Sequence, residues 1–323
     1  MSVLARKLAF YLLSLWFAVT LNFVIPRLMP GDPLDSAVGQ VQLDPAQLAE
    51  TRAALGLTNG SPLHQYLAYL WNLLHGNLGI SLSERVPVSA VMGQELPWSL
   101  LLLGTALLIS FVLGTGLGVL VAWKRGSLLD SVFTPALVFL HSIPGFWLGL
   151  LLIYLLVVKI PLFPVGLGRD PSLEPGWNLQ FIGSALWHAV LPASALVVTS
   201  LGGWVLHMRN TMLSVLGEDY IALAEAKGLS RTRIMVRYAA RNAILPQVTH
   251  FTLAFAGVVS GQVFVETVFS YPGIGSYFQT AVNRVDYPLL QGLLLFAVLA
   301  VLSANVVADL LYLRLDPRLR QRS

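Results

Sequence analysis

The stretch LPWSLLLLGTALLISFVLGTGLGVLVAW, residues 96–123, places 28 consecutive positions without one charged side chain. As a helix it rises about 42 Å at 1.5 Å per residue, more than the roughly 30 Å of hydrocarbon in a bilayer. Five further uncharged runs lie at residues 8–26, 131–158, 175–208, 242–265 and 287–308. Each supplies the roughly 17 to 25 residues that a crossing needs. The run at 175–208 opens on Pro175, Gly176, Asn178 and Gln180, which read as polar loop, so its helix is expected over 186–207. The runs are continuously apolar and do not alternate, which selects helices over barrel strands. The sequence therefore predicts an all-α polytopic membrane protein with six transmembrane helices.

Composition agrees. Of 323 residues, 56% are hydrophobic and 11% charged, and the mean hydropathy is +0.71. A soluble domain carries about 25% charged residues because water covers its surface. The chain has no cysteine, which excludes disulfides, thiolate metal sites and a cysteine nucleophile. It also lacks a G-x-x-x-x-G-K-[ST] phosphate loop, an H-E-x-x-H zinc motif and a G-x-S-x-G elbow. The six histidines, His64, His75, His141, His188, His207 and His250, are dispersed. Neither an enzyme, a metal site nor a nucleic-acid partner is expected.

Lysine and arginine set the orientation. With the N-terminus in the cytoplasm and six spans, 14 of the 20 basic residues fall inside: Arg6, Lys7, Lys124, Arg125, Arg209, Lys227, Arg231, Arg233, Arg237, Arg241, Arg314, Arg318, Arg320 and Arg322. Six fall outside: Arg27, Arg52, Arg85, Lys159, Arg169 and Arg284. Both termini are therefore expected in the cytoplasm. The first run is too long for a signal-peptide core and no small-x-small site follows it, so it reads as a retained helix ended by Pro26, Pro30 and Pro33.

This reading divides the chain into a tail and first helix (1–30), an extracytoplasmic segment (31–96), a five-helix core (97–312) that includes a cytoplasmic loop at 209–247, and a cytoplasmic tail (313–323). Within the extracytoplasmic segment, short helices are expected at 45–55, capped by Asp44 with Pro45 first, and at 63–74. Turn signals stand at Gly60, Gly76 and Gly79. Tyr66, Tyr69 and Trp71 have helical spacing and suit a position along the membrane interface. A packed cap and a docking or entry surface are both open for this segment. The loop at 159–185 is stiffened by Pro161, Pro164, Pro171 and Pro175.

The loop that follows Arg209 carries the most information. Between residues 216 and 238 it reads as two short amphipathic helices separated near Gly228, with Ser230 as N-cap of the second. Arg231, Arg233, Arg237 and Arg241 lie along that second helix. A plain turn does not need this much helix. The spacing of Ile221, Leu223, Ala224 and Leu229 suits a helix lying across the membrane face with its apolar side inserted into another protein. Gly228 lets the chain turn and permits close backbone contact. Asp219 is favourable at a helix start. Arg237 and Arg241, four apart, suit a tie to the final intracellular turn or to a partner, and Pro246 suits a break where loop becomes span.

Polar groups inside the spans are few. Glu266 is the clearest, with Gln262 four residues before it on the same expected face, and its depth points to the bundle interior or the pore, with an interfacial carboxylate reaching water as the alternative. Asn305 and Asp309 read as interhelical glue. No acidic pair or broken-helix repeat argues for ion coupling.

From Asp219 the sequence D-Y-I-A-L-A-E-A-K-G-L-S, followed by R-Y-A-A-R-N-A-I-L-P-Q-V-T, resembles the cytoplasmic loop of permease subunits from binding-protein-dependent ABC importers, closest to the dipeptide and oligopeptide branch. The likeness continues in P-G-D-P at 30–33, A-L-G-L at 54–57, G-N-L-G-I-S at 76–81, E-T-V-F-S-Y-P-G-I-G at 266–275, D-Y-P at 286–288 and L-D-P-R-L-R at 315–320. It implies the type I importer permease fold in a bacterial or archaeal cytoplasmic membrane. The 215–241 loop would then hold a coupling helix that docks on an ATPase subunit. Ala224, Gly228 and Pro246 match the broad family motif. Ala222 replaces its usual glutamate and the glycine-to-Leu-Pro spacing is long, both usual for the peptide branch. By the same resemblance, Asp219, Tyr220, Ala224, Lys227, Gly228, Leu229, Ser230, Arg237, Arg241, Asn242 and Pro246 are the coupling candidates. Gln262, Glu266, Pro272, Gly273 and Gly275 are the pore or gate candidates. The implied partners are a second homologous permease, two ATPase subunits that bind ATP and Mg, an extracytoplasmic solute-binding protein and membrane lipid. The chain itself would bind no cofactor and work by alternating access. Peptide is the leading substrate, with oligosaccharides and nickel complexes as alternatives and an autonomous secondary transporter as the rival class.

Overall fold

The computed structural model describes residues 3–30 and 61–315. The helix expected at 45–55, the A-L-G-L motif, most of P-G-D-P and the C-terminal tail lie outside the described residues. The elements in chain order are α1 (Val3–Arg27), α2 (Pro62–Leu74), α3 (Val88–Trp123), α4 (Leu129–Ser142), α5 (Gly145–Lys159), α6 (Leu179–Leu216) and α7 (Asp219–Ala226). They continue through α8 (Arg241–Ser260), α9 (Val263–Val268), α10 (Ile274–Asn283) and α11 (Tyr287–Leu315). Among the described residues the only β pairing is an isolated bridge between Ile80 and Pro87. The all-α membrane fold therefore holds.

Among the described residues, four helices are long and apolar enough to cross a bilayer, over Ala9–Arg27, Val88–Trp123, Leu179–Leu216 and Tyr287–Asp309. A fifth crossing results if α4 and α5, bent by 90°, count as one. That bend divides the crossing expected at 131–158 into two helices. Ile143 is extended (φ −81°, ψ 125°) because Pro144 follows it and disfavours a helical backbone. The helix expected over 186–207 is α6, 38 residues long, which starts on the Asn178 side-chain cap and passes through Pro192. The run at 242–265 falls mainly in α8, where Asn242, Gln247, Thr249, His250 and Thr252 dilute the apolar character.

The contacts sort into two compact units. In the first, drawn from residues up to 99 with 259–263 and 273–303, Val88, Val91 and Met92 pack with Ile274, Ala281, Leu289, Leu290 and Leu293. Beside this core lies Asp286, fully buried. Its Oδ2 accepts from Ser81 Oγ (2.6 Å), Ser83 N (2.9 Å) and Ser83 Oγ (2.8 Å), and its Oδ1 accepts from Leu289 N (3.1 Å). Four donors thus solvate a carboxylate that would otherwise be costly to bury. They also join the G-N-L-G-I-S and D-Y-P motifs, about 200 residues apart in sequence, at the start of α11.

In the second unit α3 and α6 approach at backbone distance. A Cβ on Gly118 would lie 2.6 Å from the Met208 Cβ and 2.8 Å from the Val205 carbonyl, and one on Gly114 would overlap the Trp204 Cβ. Gly202 meets the Leu137 carbonyl of α4 in the same way. In lipid there is no hydrophobic drive between helices, so close backbone packing of this kind holds them together. Asp130 of α4 and Arg209 of α6 add a bidentate pair, Nε to Oδ1 at 2.8 Å and Nη2 to Oδ2 at 3.0 Å. Gly126 N and Thr134 Oγ1 complete the shell of Asp130 at 3.1 Å each.

Two outcomes follow from this packing. Gly118→Leu should lower thermal stability in detergent by about 1–3 kcal/mol or more, because the added atoms overpack the seam. Gly116→Leu, with nothing within 4 Å of its Cβ position, should melt like wild type. Asp286→Ala strands the buried hydroxyl of Ser81 and the half-buried donors of Ser83 and should cost about 1–3 kcal/mol for the buried group, read as a lower melting temperature.

Candidate functional site at the loop between α6 and α8

Helix α7 opens with Glu218 in extended conformation and Asp219 as its first residue, where the helix dipole favours a carboxylate. It closes in a Schellman turn: Gly228 N donates to the Glu225 carbonyl (2.9 Å) and Leu229 N to the Ala224 carbonyl (3.3 Å). Gly228 has φ +72°, which a residue with a side chain adopts only at a cost. A Cβ there would meet nothing within 4 Å, so within this chain the glycine serves the turn and no close contact.

The apolar side of α7 does not face outward, which corrects the expectation from its spacing. Ile221 and Ala224, each 3% exposed, pack with Ala122 of α3, Met208 and Met212 of α6, and Ile234, Ala239 and Ala243 beyond the turn. Leu229 packs against the same cluster. Leu223 is the apolar residue turned out, at 57% exposure. A period of 3.6 separates the two faces, but it does not say which of them the chain covers itself. Ala224 therefore seats the helix, and Leu223, Glu225 and Lys227 form its free surface.

Several coupling candidates meet in space. The Tyr220 hydroxyl accepts from Asn242 Nδ2 at 2.9 Å, and the same amide donates to the Tyr238 carbonyl at 3.0 Å. Ser230 occupies the N-cap position, where its carbonyl accepts from Ile234 N (3.0 Å), but its side chain makes no capping bond. A π-helical stretch, Ile234–Ala240, joins the short Arg231–Arg233 turn to α8. Arg231, Arg233, Arg237 and Arg241 are exposed, and among the described residues Arg237 and Arg241 form no ion pair. Pro246 is half-buried inside α8, which continues past it. Between α7 and the ends of α3 and α6 lies an open cleft of about 570 Å³, whose charged lining is Arg125, Glu218, Asp219, Glu225 and Arg231.

The pore candidates separate. Gly261 (φ +79°) ends the preceding helix, so exposed Gln262 lies in a break and not on the helix face that carries Glu266. Glu266 is fully buried in α9, which removes the alternative of an interfacial carboxylate reaching water. Gly275 is buried against the 262–263 backbone, its Cβ position 2.7 Å from Val263 N. Gly273 is buried with extended backbone, and Pro272 is half-buried.

One polar cluster escaped the sequence reading. Gln247, 1% exposed, donates to the Trp204 carbonyl (3.0 Å) and to Thr115 Oγ1 (3.3 Å). Its Oε1 thereby faces His207 Nδ1, which donates to it at 2.6 Å. The His207 ring lies 5.0 Å from that of His250. The local signal was Gln247 and His250 three apart on one helix; His207, 40 residues earlier, has no such signal. Among the described residues no three metal-ligating groups gather, so the two imidazoles stand without a third ligand.

Residues 114–321 match the family described as binding-protein-dependent transport system inner membrane component. The chain is 36% identical over 320 residues to the dipeptide transport system permease protein of Escherichia coli K12, covering 94% of each. It is 40% identical over 339 residues to the di/tripeptide transport system permease protein of Pseudomonas aeruginosa UCBPP-PA14, covering 100% of this chain and 99% of the relative. It is 33% identical over 300 residues to the oligopeptide transport system permease protein of Bacillus subtilis 168, covering 93% of each. The chain belongs to the family of binding-protein-dependent transport system inner membrane components, as a multi-pass permease subunit.

Proposed function

We propose that the chain is one of two homologous permease subunits enclosing a peptide pathway, driven through α7 by a separate ATPase. The observation that carries this reading is the seat of α7. Ile221 and Ala224 are locked into a core with Met208, Met212 and Ala122, while Leu223 faces outward. A force applied to the outer face of α7 therefore reaches the ends of α3 and α6 through close-packed side chains. The exposed arginines at 231, 233, 237 and 241 offer the same partner a cationic rim. ATP and Mg belong to that partner, and an extracytoplasmic binding protein delivers the substrate.

In the same proposal α8 completes the set of six as the fifth crossing in chain order and both termini are cytoplasmic, in keeping with the basic residues around α7. The polar side chains of α8 suit a span that faces a water-filled path or a second subunit more than lipid. The extracytoplasmic segment 31–96, the core 97–312 with its 209–247 loop and the tail 313–323 keep their expected roles. Gln262 sits at the break between α8 and α9 and Pro272 and Gly273 at the break between α9 and α10, places suited to a gate, and Gly275 packs on the 262–263 backbone. Peptide is favoured as substrate by relatives named for dipeptides, di- and tripeptides and oligopeptides. Membership of a multi-component transport family weighs against an autonomous secondary transporter.

Two variants test the coupling. Leu223→Asp in the assembled importer should cut peptide uptake by about tenfold, the weight of roughly 1.4 kcal/mol at a contact, with thermal stability unchanged. Ile221→Asp should instead destabilise the chain, since it buries an unpaired charge. Wild-type uptake and ATPase stimulation by Leu223→Asp would remove α7 from the coupling path. Transport of labelled dipeptides in proteoliposomes tests the substrate, and uptake of an oligosaccharide or nickel complex in their place would reassign it.

A further inference from the structure

Helix α2 exposes two faces of opposite character. Leu63, Leu67, Trp71 and Leu74, at spacings of four, four and three, form one stripe at 67%, 54%, 65% and 82% exposure. About 100° round the helix, His64, Ala68 and Asn72 form a second exposed stripe that is small and polar. The third face is turned to α1. There the Tyr66 hydroxyl lies 2.7 Å from Thr20 Oγ1, the Tyr69 hydroxyl accepts from Asn22 Nδ2 at 3.0 Å, and both rings pack on Phe23 at 5.2 and 5.5 Å. This corrects the simple reading of the aromatics: Tyr66 and Tyr69 hold the helix to the protein, and only Trp71 looks away. Partial burial against α1 pushes the Tyr69 phenol up to about 12.

The tether also sets a depth. Thr20 lies seven residues inside the Arg27 end of the span, and Phe23 four, so these contacts fall about 6 to 10 Å below that end at 1.5 Å per residue. That is the depth at which interfacial helices lie, roughly 5 to 10 Å into the headgroup and acyl boundary. On α1, near in sequence to the tethering Thr20, Asn22 and Phe23, Phe17, Leu21 and Val24 are likewise 58%, 40% and 39% exposed, on a helix long and apolar enough to cross a bilayer.

We propose that α2 is an interfacial membrane helix, with Leu63, Leu67, Trp71 and Leu74 immersed in the bilayer lipid beside the end of α1 and His64, Ala68 and Asn72 turned to the headgroups and water. The assignment needs α1 as a span and is independent of what the protein transports.

Because the chain has no cysteine, each single-cysteine variant carries one label. The full chain, assembled with its partner subunits in lipid nanodiscs, is nitroxide-labelled in turn at 63, 64, 67, 68, 71 and 72. Collision rates are then measured with oxygen, which concentrates in lipid, and with a water-soluble nickel chelate. The expected oxygen-to-chelate ratio is at least about threefold higher at 63, 67 and 71 than at 64, 68 and 72, following the helical period. Chelate access at 67 and 71 equal to that at 68 and 72 would place the stripe in water and overturn the proposal. Immobile labels at 67 and 71 shielded from both reagents would show a protein partner on the stripe, and would overturn it equally.

Discussion

Contact between α3 and α6 at backbone distance is the constraint on which the second unit depends. Gly114 and Gly118 sit one helical turn apart and admit Trp204, Val205 and Met208 where any larger residue would collide. In hydrocarbon, two helices gain nothing by hiding apolar surface from lipid that is equally apolar. Dispersion between close surfaces and the few polar ties between helices remain, and both need near contact. The Asp130–Arg209 pair and the Gln247 network are ties of this kind, each with its donors and acceptors mutually satisfied.

The same seam supports the loop that gives the protein its family character. Met208, pressed against Gly118, also belongs to the cluster that receives Ile221 and Ala224. A single packed column thus runs from the α3–α6 contact to α7, and the Schellman turn at Gly228 returns Leu229 onto it. The arrangement divides α7 in two: buried residues give it a rigid seat, and Leu223 and its exposed neighbours face outward, where the proposed coupling would act. A coupling element requires both, since a loosely held helix would absorb a push instead of passing it on.

The first unit solves a different problem. Asp286 is a buried carboxylate satisfied by hydroxyl and backbone donors, fixing a short loop to a helix start. The two tyrosines of α2 do similar work against α1. Both devices anchor connecting segments onto spans, and this leaves the amphipathic outer surface of α2 as a consequence of where its inner face is tied.

Much of this was legible in the sequence by itself. Charge-free runs dictated membrane helices, because no charged residue is tolerated cheaply in lipid. The order of short motifs dictated the family, and the glycine at 228 dictated the turn that its positive φ realises. The sequence did not determine the 90° bend at Ile143–Pro144, the burial of Ile221 and Ala224, the separation of Gln262 from Glu266, or the meeting of His207 with Gln247 and His250. Periodicity reports that a helix has an apolar face, and a lone polar residue reports that it needs a partner. Only tertiary structure decides what covers that face and which partner arrives, because both depend on residues tens to hundreds of positions away that the local pattern does not contain.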